Sequence, residues 1–304
     1  MKRSTIILAA LFLVLLALFY ISSQDEGRRG AQVERLLTVD WNDIERIEVF
    51  QPEERIALER RRDQWFLTDP LEYPADQGYV ETLLRNASDL KIDGMVSDKP
   101  EKHGLFQVDS TGTEVRLSSS HQRLATFVVG KTSNDYSHTY VRRSDGEEIY
   151  LIKGLIGGHY TRRVRDWRDK TIFTFPEASI QKVRLIRSES SVELWKEGAN
   201  WKAQSDGETF SPDEDQVDRL VDALSGLRTY DFRGQEEEGL DFSKPDFRVE
   251  MVLHSGEQKA LSLLPEDENR GRYFAKRGED ETVFILRREA LSNILKGAED
   301  LRAE

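Results

Sequence analysis

The sequence contains no cysteine among its 304 residues. This absence excludes disulfides, thiolate nucleophiles, cysteine-ligated metal sites and a lipid anchor attached to a cysteine. A domain without disulfides depends on its hydrophobic core for stability, and the roughly 280 residues that follow the first uncharged segment are enough for two such cores. We therefore expect two domains, each stabilised by packing alone.

The sequence also lacks the motifs that announce common catalytic and metal sites. No two histidines have the i, i+4 spacing of a helical metal pair, and neither a His-Glu-x-x-His nor a Gly-x-Ser-x-Gly frame is present. Surface or loop positions are expected for all five histidines, which are His103, His121, His138, His159 and His254. The many carboxylates give no signal, because a catalytic pair is recognised by geometry and pKa. The sequence therefore predicts no catalytic, cofactor-binding or metal-binding residue, although it does not exclude an enzyme.

The sequence has fewer basic than acidic residues, 44 against 56, which gives a net charge of −12. Residues 1–175 hold 25 basic and 27 acidic side chains, whereas residues 176–304 hold 19 and 29. This sign disfavours a nucleic-acid partner. The acidic clusters favour solvated loops over a calcium site, because none has the Asp-x-Asp-x-Asp-Gly spacing. These clusters are 213–215, 236–238, 266–268 and 279–281.

A long uncharged run lies near the amino terminus, from Ser4 to Gln24. About 20 apolar residues are enough to cross the hydrocarbon core of a bilayer as a helix. Lys2 and Arg3 precede the run, so the positive-inside rule predicts a cytoplasmic amino terminus with the rest of the chain outside. The alternative is a cleaved signal peptide, but Ile21-Ser22-Ser23 is a poor match to a cleavage site. We expect an uncleaved, single-pass membrane anchor.

The most informative feature that is present is an internal repeat. Trp65 and Trp201 lie 136 positions apart, and Asp76 and Asp213 lie 137 apart. Each aspartate precedes a helical pattern of apolar residues, which is Val80, Leu83, Leu84, Ala87 and Leu90 in the first copy and Val217, Leu220, Val221, Leu224 and Leu227 in the second. A fixed offset over this many positions indicates a duplication. It predicts a cytoplasmic terminus and anchor (1–24), a stalk (25–40), a first repeat (41–175) and a second repeat (176–304).

Each repeat shows about seven short strands, in which apolar and polar residues alternate, and one amphipathic helix. Short turns between the strands predict a mostly antiparallel sheet with helices on one face, which is an α+β fold. The helix of the second repeat is expected to begin with Ser211 as N-cap and Pro212 at the first helical position. Further helices, near Lys153–Lys170 and Arg288–Leu301, are expected to close the two repeats.

Two other features leave alternatives open. Trp65 and Trp201 suit the core of each repeat, although a tryptophan at the same place in both could stack on a sugar. The segment 162–170 carries five positive charges in nine residues. It suits either a linker helix that pairs with the acidic second half or a surface for anionic headgroups or an acidic partner.

The pattern resembles the family of domain of unknown function 4340. The matching features are the uncharged run, the early Ile-x-x-Ile strand, the Trp65 strand, Pro74-Ala75-Asp76 and Gly104-Leu105, followed by Val129-Gly130-Lys131, Tyr140-Val141-Arg142 and Ile149-Tyr150-Leu151. The first repeat lacks the proline expected after Gly104-Leu105. The second repeat has Leu264-Pro265 where the first has a Gly130-Lys131 turn.

The resemblance carries no catalytic residue, because the family has no assigned activity. It implies a membrane-anchored bacterial protein that is often encoded beside ABC transporters of the kind linked to gliding motility. We therefore expect an auxiliary subunit that binds or scaffolds protein partners in an envelope transport complex, without a cofactor. The alternative is a periplasmic enzyme or carbohydrate-binding module that acts on envelope material.

Overall fold

The computed structural model describes residues 34–188, 190–233, 239–266, 269 and 271–303. The chain divides into two compact units, the first ending at Arg168 and the second beginning at Asp169. The sequence pattern placed this division after residue 175. The structure assigns the intervening residues to the second unit because Ile172 and Phe173 both donate backbone hydrogen bonds to the Leu227 carbonyl, at 2.8 and 3.1 Å.

The first unit is a nine-stranded antiparallel sheet with the strand order β4-β3-β2-β1-β6-β7-β8-β9-β5. Its strands are β1 (Arg46–Phe50), β2 (Arg55–Arg61), β3 (Gln64–Asp69), β4 (Tyr73–Pro74), β5 (Ile92–Ser97), β6 (Thr113–Ser118), β7 (Arg123–Thr132), β8 (His138–Arg143) and β9 (Ile149–Lys153). Its helices are α1 (Gln77–Ser88), α2 (His103–Phe106), α3 (Gly157–Tyr160) and α4 (Val164–Trp167), with 3₁₀ turns at Trp41–Asp43 and Pro100–Lys102.

The second unit is a nine-stranded antiparallel sheet with the matching order β13-β12-β11-β10-β15-β16-β17-β18-β14. Its strands are β10 (Ile180–Arg187), β11 (Ser190–Glu197), β12 (Asn200–Ser205), β13 (Glu208–Phe210), β14 (Asp231–Phe232), β15 (Phe247–Leu253), β16 (Gln258–Pro265), β17 (Arg272–Arg277) and β18 (Val283–Arg287). Its helices are α5 (Glu214–Ser225) and α6 (Ala298–Leu301), with 3₁₀ turns at Glu177–Ser179 and Arg288–Leu291.

The α+β fold and the antiparallel pairing predicted from the sequence are confirmed, but the expected seven strands per unit are wrong. The sequence pattern missed the short strands β4, β13 and β14 and the edge strand β5. Strands of two or three residues are too short to show an alternating pattern. The six residues of β5 include Asp93 and Gly94, which are depleted in strands.

The main core of the first unit lies between the sheet and α1. Side chains at alternate positions of β1, among them Ile47 and Val49, are fully buried against this core. The helix contributes Val80, Leu83, Leu84 and Ala87, and α5 of the second unit buries Val217, Leu220, Val221 and Leu224. The apolar periodicity therefore identified both helices and their inward faces.

Asp76 and Asp213 begin these two helices. Each carboxylate accepts a hydrogen bond from the backbone N–H three residues ahead, at Tyr79 and Gln216. The prediction of Ser211 as the second N-cap is wrong. Pro212 lies outside the helix because it is held in a short bridge with Arg302.

The helices expected to close the units are also wrong in length. Only α3 and α4 are α-helical between Lys153 and Lys170, and Arg163 and Arg168 are extended. Near the carboxyl end of the chain, a 3₁₀ turn and the four-residue α6 replace one long helix. In both units the chain is extended at this point because it bridges the residue before the N-cap aspartate, as in the pairing of Ala75 with Arg168.

The expectation that helices cover one face holds for α1 but not for α2. Phe106 of α2 packs against Val128, whereas Phe127 and Val129, the neighbours of Val128 on β7, belong to the main core. Successive side chains of a strand point to opposite faces. The first unit therefore has a second, smaller core on the other face of its sheet.

Among the described residues, none of the helices has the length and hydropathy that a membrane span requires. The predicted anchor from Ser4 to Gln24 lies outside the described residues, as does most of the predicted stalk.

Candidate functional site

The five histidines lie apart from one another in their contacts. His138 Nε2 lies 2.6 Å from Asp93 Oδ2, which joins β8 to β5. The others contact a backbone carbonyl or a neutral side chain, as His103 does at the Glu147 carbonyl. Within the described residues, no group of three or more acidic or histidine side chains is placed to hold a metal ion.

The two aligned tryptophans belong to the cores of their units. Trp65 is 4% exposed and Trp201 is 9% exposed, so neither ring is available to stack on a sugar. Gln77 connects β3 to α1, because its side chain accepts from the Trp65 backbone N–H and donates to the Trp65 carbonyl. The structural interpretation of these residues is therefore confirmed.

The basic segment 162–170 is not a continuous linker helix. The Arg162 guanidinium lies 4.1 Å from the centre of the Tyr79 ring, and the Arg168 guanidinium lies 4.0 Å from that of Tyr73. Trp167 is completely buried and meets Tyr79 edge-on at 4.8 Å. Part of this positive charge therefore packs on aromatic rings of the first unit.

The later motifs of the family resemblance, from Gly104-Leu105 to Ile149-Tyr150-Leu151, meet around the smaller core of the first unit. Its buried members are Val108, Val128 and Ile149, and the partly buried members packed against them are Val96, Phe106 and Tyr140. The Phe106 and Tyr140 rings lie 4.5 Å apart. Arg142 Nε donates to the Val108 carbonyl at 2.9 Å. These motifs therefore build a packing arrangement, and we assign them no chemistry.

Gly130 explains why this arrangement occurs in the first unit. The residue lies inside β7 rather than in a turn, which corrects the sequence interpretation. A Cβ atom at Gly130 would lie 2.3 Å from the Phe106 carbonyl oxygen and 2.7 Å from Val108 Cγ1. Glycine is therefore needed for the close approach of the segment after α2. In the second unit, Leu264 of β16 occupies the position that corresponds to Gly130 of β7, because Leu263 corresponds to Val129.

A cleft of about 670 Å³ lies beside β7 of the first unit. The segment 35–39 forms one wall, and residues of β6, β7 and the end of β8 form the other. Four arginines line it, Arg35, Arg116, Arg123 and Arg143, together with the carboxylates Glu114 and Asp145. Its apolar lining includes Leu36, Leu37, Val39 and Leu124. We name this feature the arginine cleft.

Three of the four arginines have acidic partners. Arg35 contacts Asp89 at 3.6 Å, and Arg116 pairs with Glu114. Arg143 binds Asp145 through two hydrogen bonds of 2.9 Å each. Those hydrogen bonds lower the pKa of Asp145 and raise the pKa of Arg143.

Arg123 differs from the other three arginines. Its side chain is exposed, and within the described residues the guanidinium makes no hydrogen bond or ion pair. The cleft therefore contains one guanidinium whose five N–H donors are free for a ligand.

The corresponding region of the second unit has a different lining. The strand register places Glu250 and Ala260 where the first unit has Arg116 and Thr126. Arg277 corresponds to Arg143, but it donates to the Ile172 carbonyl at 2.8 Å. This hydrogen bond connects β17 to the segment around Ile172, which corresponds to the wall segment 35–39 of the first unit. Phe175 lies in this segment of the second unit, and the Lys259 ammonium lies 5.9 Å from the centre of its ring.

The Thr126 hydroxyl in the cleft wall is buried and has no hydrogen-bond partner in the described part of the chain. An unpaired buried hydroxyl costs stability, and valine has nearly the same shape as threonine. We expect Thr126→Val to raise the free energy of unfolding by about 1 kcal/mol. Urea denaturation measures this change, with the exposed Thr82→Val as control; a loss of stability would show that the hydroxyl has a partner.

The fold defines the class of the protein: an α+β chain with two nine-stranded antiparallel sheets of matching strand order. A family model described as Domain of unknown function (DUF4340) matches residues 65–245, which is more than half of the chain. The chain belongs to this family. The match begins in β3 of the first unit and ends just before β15 of the second. No curated protein and no solved structure matches the chain.

Proposed function

We propose that the chain is a single-pass inner-membrane protein whose two periplasmic units bind ligands or protein partners as an auxiliary part of an ABC-transporter-type envelope complex. The observation that carries the binding role is the arginine cleft, which is open and basic in the first unit. The second unit has glutamate, alanine and phenylalanine residues in the corresponding region. The two units therefore share a strand order but differ in the side chains of this region.

The membrane role rests on the uncharged run from Ser4 to Gln24, with Lys2 and Arg3 before it. Glu34 is the first described residue, and its carbonyl accepts a hydrogen bond from the Ile92 backbone N–H at the edge strand β5. Nine residues lie between Gln24 and Glu34, so the ten Cα–Cα steps that join them span at most about 36 Å. An anchor at Ser4–Gln24 would therefore hold the first unit close to the bilayer.

The second candidate is an enzyme or carbohydrate-binding module that acts on envelope material. The polar lining of the arginine cleft favours it, because arginine pairs with the carboxylates and phosphates of acidic saccharides. The buried positions of Trp65 and Trp201 count against sugar stacking at those rings. Both candidates bind a ligand at the cleft. Capture of transporter partners would favour the auxiliary subunit, and turnover of a substrate would favour the enzyme.

A reporter that is active only in the periplasm tests the topology. Fused after Glu304, it should be active, and the mature protein should retain its first residues. A mature protein that starts near Gln24 would convert the anchor into a signal peptide. A second test is a double variant, Leu11→Arg with Leu15→Arg, which places two charges in the uncharged run and should release the protein from the membrane.

Crosslinking in intact cells tests the partners. Gentle detergent extraction should yield a complex larger than the 35.1 kDa chain, with transporter components among the crosslinked proteins. Deletion of those components should leave the protein folded at the same level. A lone monomer with only random neighbours would contradict the auxiliary role and favour the second candidate.

A further inference from the structure

We propose that the arginine cleft of the first unit binds a phosphate group carried on a small amphiphile or a soluble ester. The inference deepens the proposed binding function and rests on it only for the source of the phosphate. The observations that carry it are the excess of arginine over carboxylate in the lining, the free Arg123 and the contrast with the second unit.

The cleft has the size and the mixture of surfaces that a small ligand needs. Its 670 Å³ lies within the usual range for ligand sites, about 300–1,000 Å³. Leu37 and Val39 give the wall segment an apolar surface, and Leu124 does the same on β7. Arginine side chains accompany this apolar surface, so the cleft suits a ligand with an anionic group beside an apolar part.

The charge of the cleft favours a phosphate. Four arginines and two carboxylates line it, and Asp89 pairs with Arg35 from outside the lining, which leaves an excess of one positive charge. A phosphate monoester carries about −1.5 to −2 at neutral pH, and guanidinium groups bind it through paired hydrogen bonds. The ion pairs of Arg116 and Arg143 are partly exposed, with arginine side chains 32% and 49% exposed. Exposed pairs are weak, so Arg143 can turn toward a ligand at small cost. Arg116 would also have to leave the Phe50 ring, whose centre lies 4.1 Å from its guanidinium.

The second unit is an internal comparison for this charge. Glu250 stands where Arg116 does, and Gln258, the first residue of β16, stands where Arg123, the first residue of β7, does. Of two guanidinium groups in the first unit, one therefore corresponds to a carboxylate in the second and the other to a neutral amide. The phosphate site is accordingly expected in the first unit alone.

Two sources supply such a phosphate: the headgroup of an anionic lipid and a soluble phosphate ester. Arg35 lines the cleft and directly follows Glu34, so an anchored chain would keep the cleft near lipid headgroups. The experiment below therefore compares one phosphate with and without acyl chains.

The test uses the full chain in nanodiscs of phosphatidylcholine. Isothermal titration calorimetry with glycerol 3-phosphate, and separately with dihexanoyl phosphatidic acid, should show saturable binding. Arg123→Gln should weaken binding by tenfold or more, because it removes hydrogen bonds between charged groups. Tighter binding of the acylated probe would assign the site to a lipid, and equal binding would assign it to a soluble ester.

Two further variants make the test specific. Arg184 is an exposed arginine of β10 without an ion pair in the described residues, so Arg184→Gln is a matched control that should bind like the parent. Val39→Phe introduces a bulky ring like that of Phe175 into the cleft wall and should abolish binding. Arg123 is exposed and unpaired, so Arg123→Gln should keep the thermal midpoint of the parent.

Absence of saturable binding by either probe would overturn the inference. Equal binding by the parent, Arg123→Gln and Val39→Phe would overturn it as well. These outcomes are independent of the reporter and crosslinking results. If the topology test fails, the lipid source loses its support, while binding of glycerol 3-phosphate still decides whether the cleft is a phosphate site.

Discussion

Leu83→Ala and Leu220→Ala are each expected to lower the free energy of unfolding by about 2–5 kcal/mol. The two leucines lie on the inward faces of α1 and α5, and both are 0% exposed. Replacing leucine by alanine removes buried methyl groups and leaves a cavity that the surrounding side chains fill only in part. The size of the loss therefore measures how tightly each helix packs on its sheet.

Urea denaturation of the full chain, followed by circular dichroism, measures these losses. Arg85→Ala and Arg219→Ala are matched controls, because both arginines are exposed positions of the same two helices. The controls should change stability by less than about 0.5 kcal/mol. Losses of that small size for the leucine variants would show that the apolar faces of α1 and α5 are not core.

The sequence predicted these helices well because their apolar residues follow one strong period. Val80, Leu83 and Leu84 recur at helical spacing, and the structure buries each of them. Long strands were equally clear, since Phe247–Leu253 alternates buried and partly exposed residues without a break. Periodicity identifies an element only when the element is long enough to repeat its pattern.

The elements that the sequence did not predict depend on tertiary contacts. The strand β14 has two residues, Asp231 and Phe232, which are strands only because they pair with Ile285 and Phe284 of β18. The segment after α4 looks like the end of a helix, but Arg168 is extended because it pairs with Ala75. Local propensity was overridden in each case by a hydrogen-bond partner far away in the sequence.

The arginine cleft was also outside the reach of the sequence. Its lining comes from four separated places, namely 35–39, 114–116, 123–126 and 143–145. Arg35, Arg116 and Arg143 each have an acidic residue within two positions, and Arg123 is one of many basic residues in the chain, so none stood out. The usable signal was the comparison between copies, in which Arg116 aligns with Glu250 and Thr126 with Ala260.

The Gly130 position gives the second large expected effect. We expect Gly130→Ala to lower the free energy of unfolding by about 2–3 kcal/mol, because the added methyl group overpacks a closed contact. The new Cβ would lie 2.3 Å from the Phe106 carbonyl oxygen, which is backbone and cannot rotate away. The segment after α2 must therefore lift from β7, which disturbs the packing of Val108 against Val128.

Gly94→Ala in β5 is the matched control, since a Cβ atom there would meet nothing within 4 Å. Alanine loses less conformational freedom than glycine on folding, so this control should be neutral or slightly stabilising. Urea denaturation gives the energies, and hydrogen exchange at residues 103–108 shows where the structure opens. Faster exchange in that segment, with the main core still protected, is the expected pattern. Equal stability of the two alanine variants would show that Gly130 is not needed for the close approach, and the smaller core would then tolerate a leucine like Leu264.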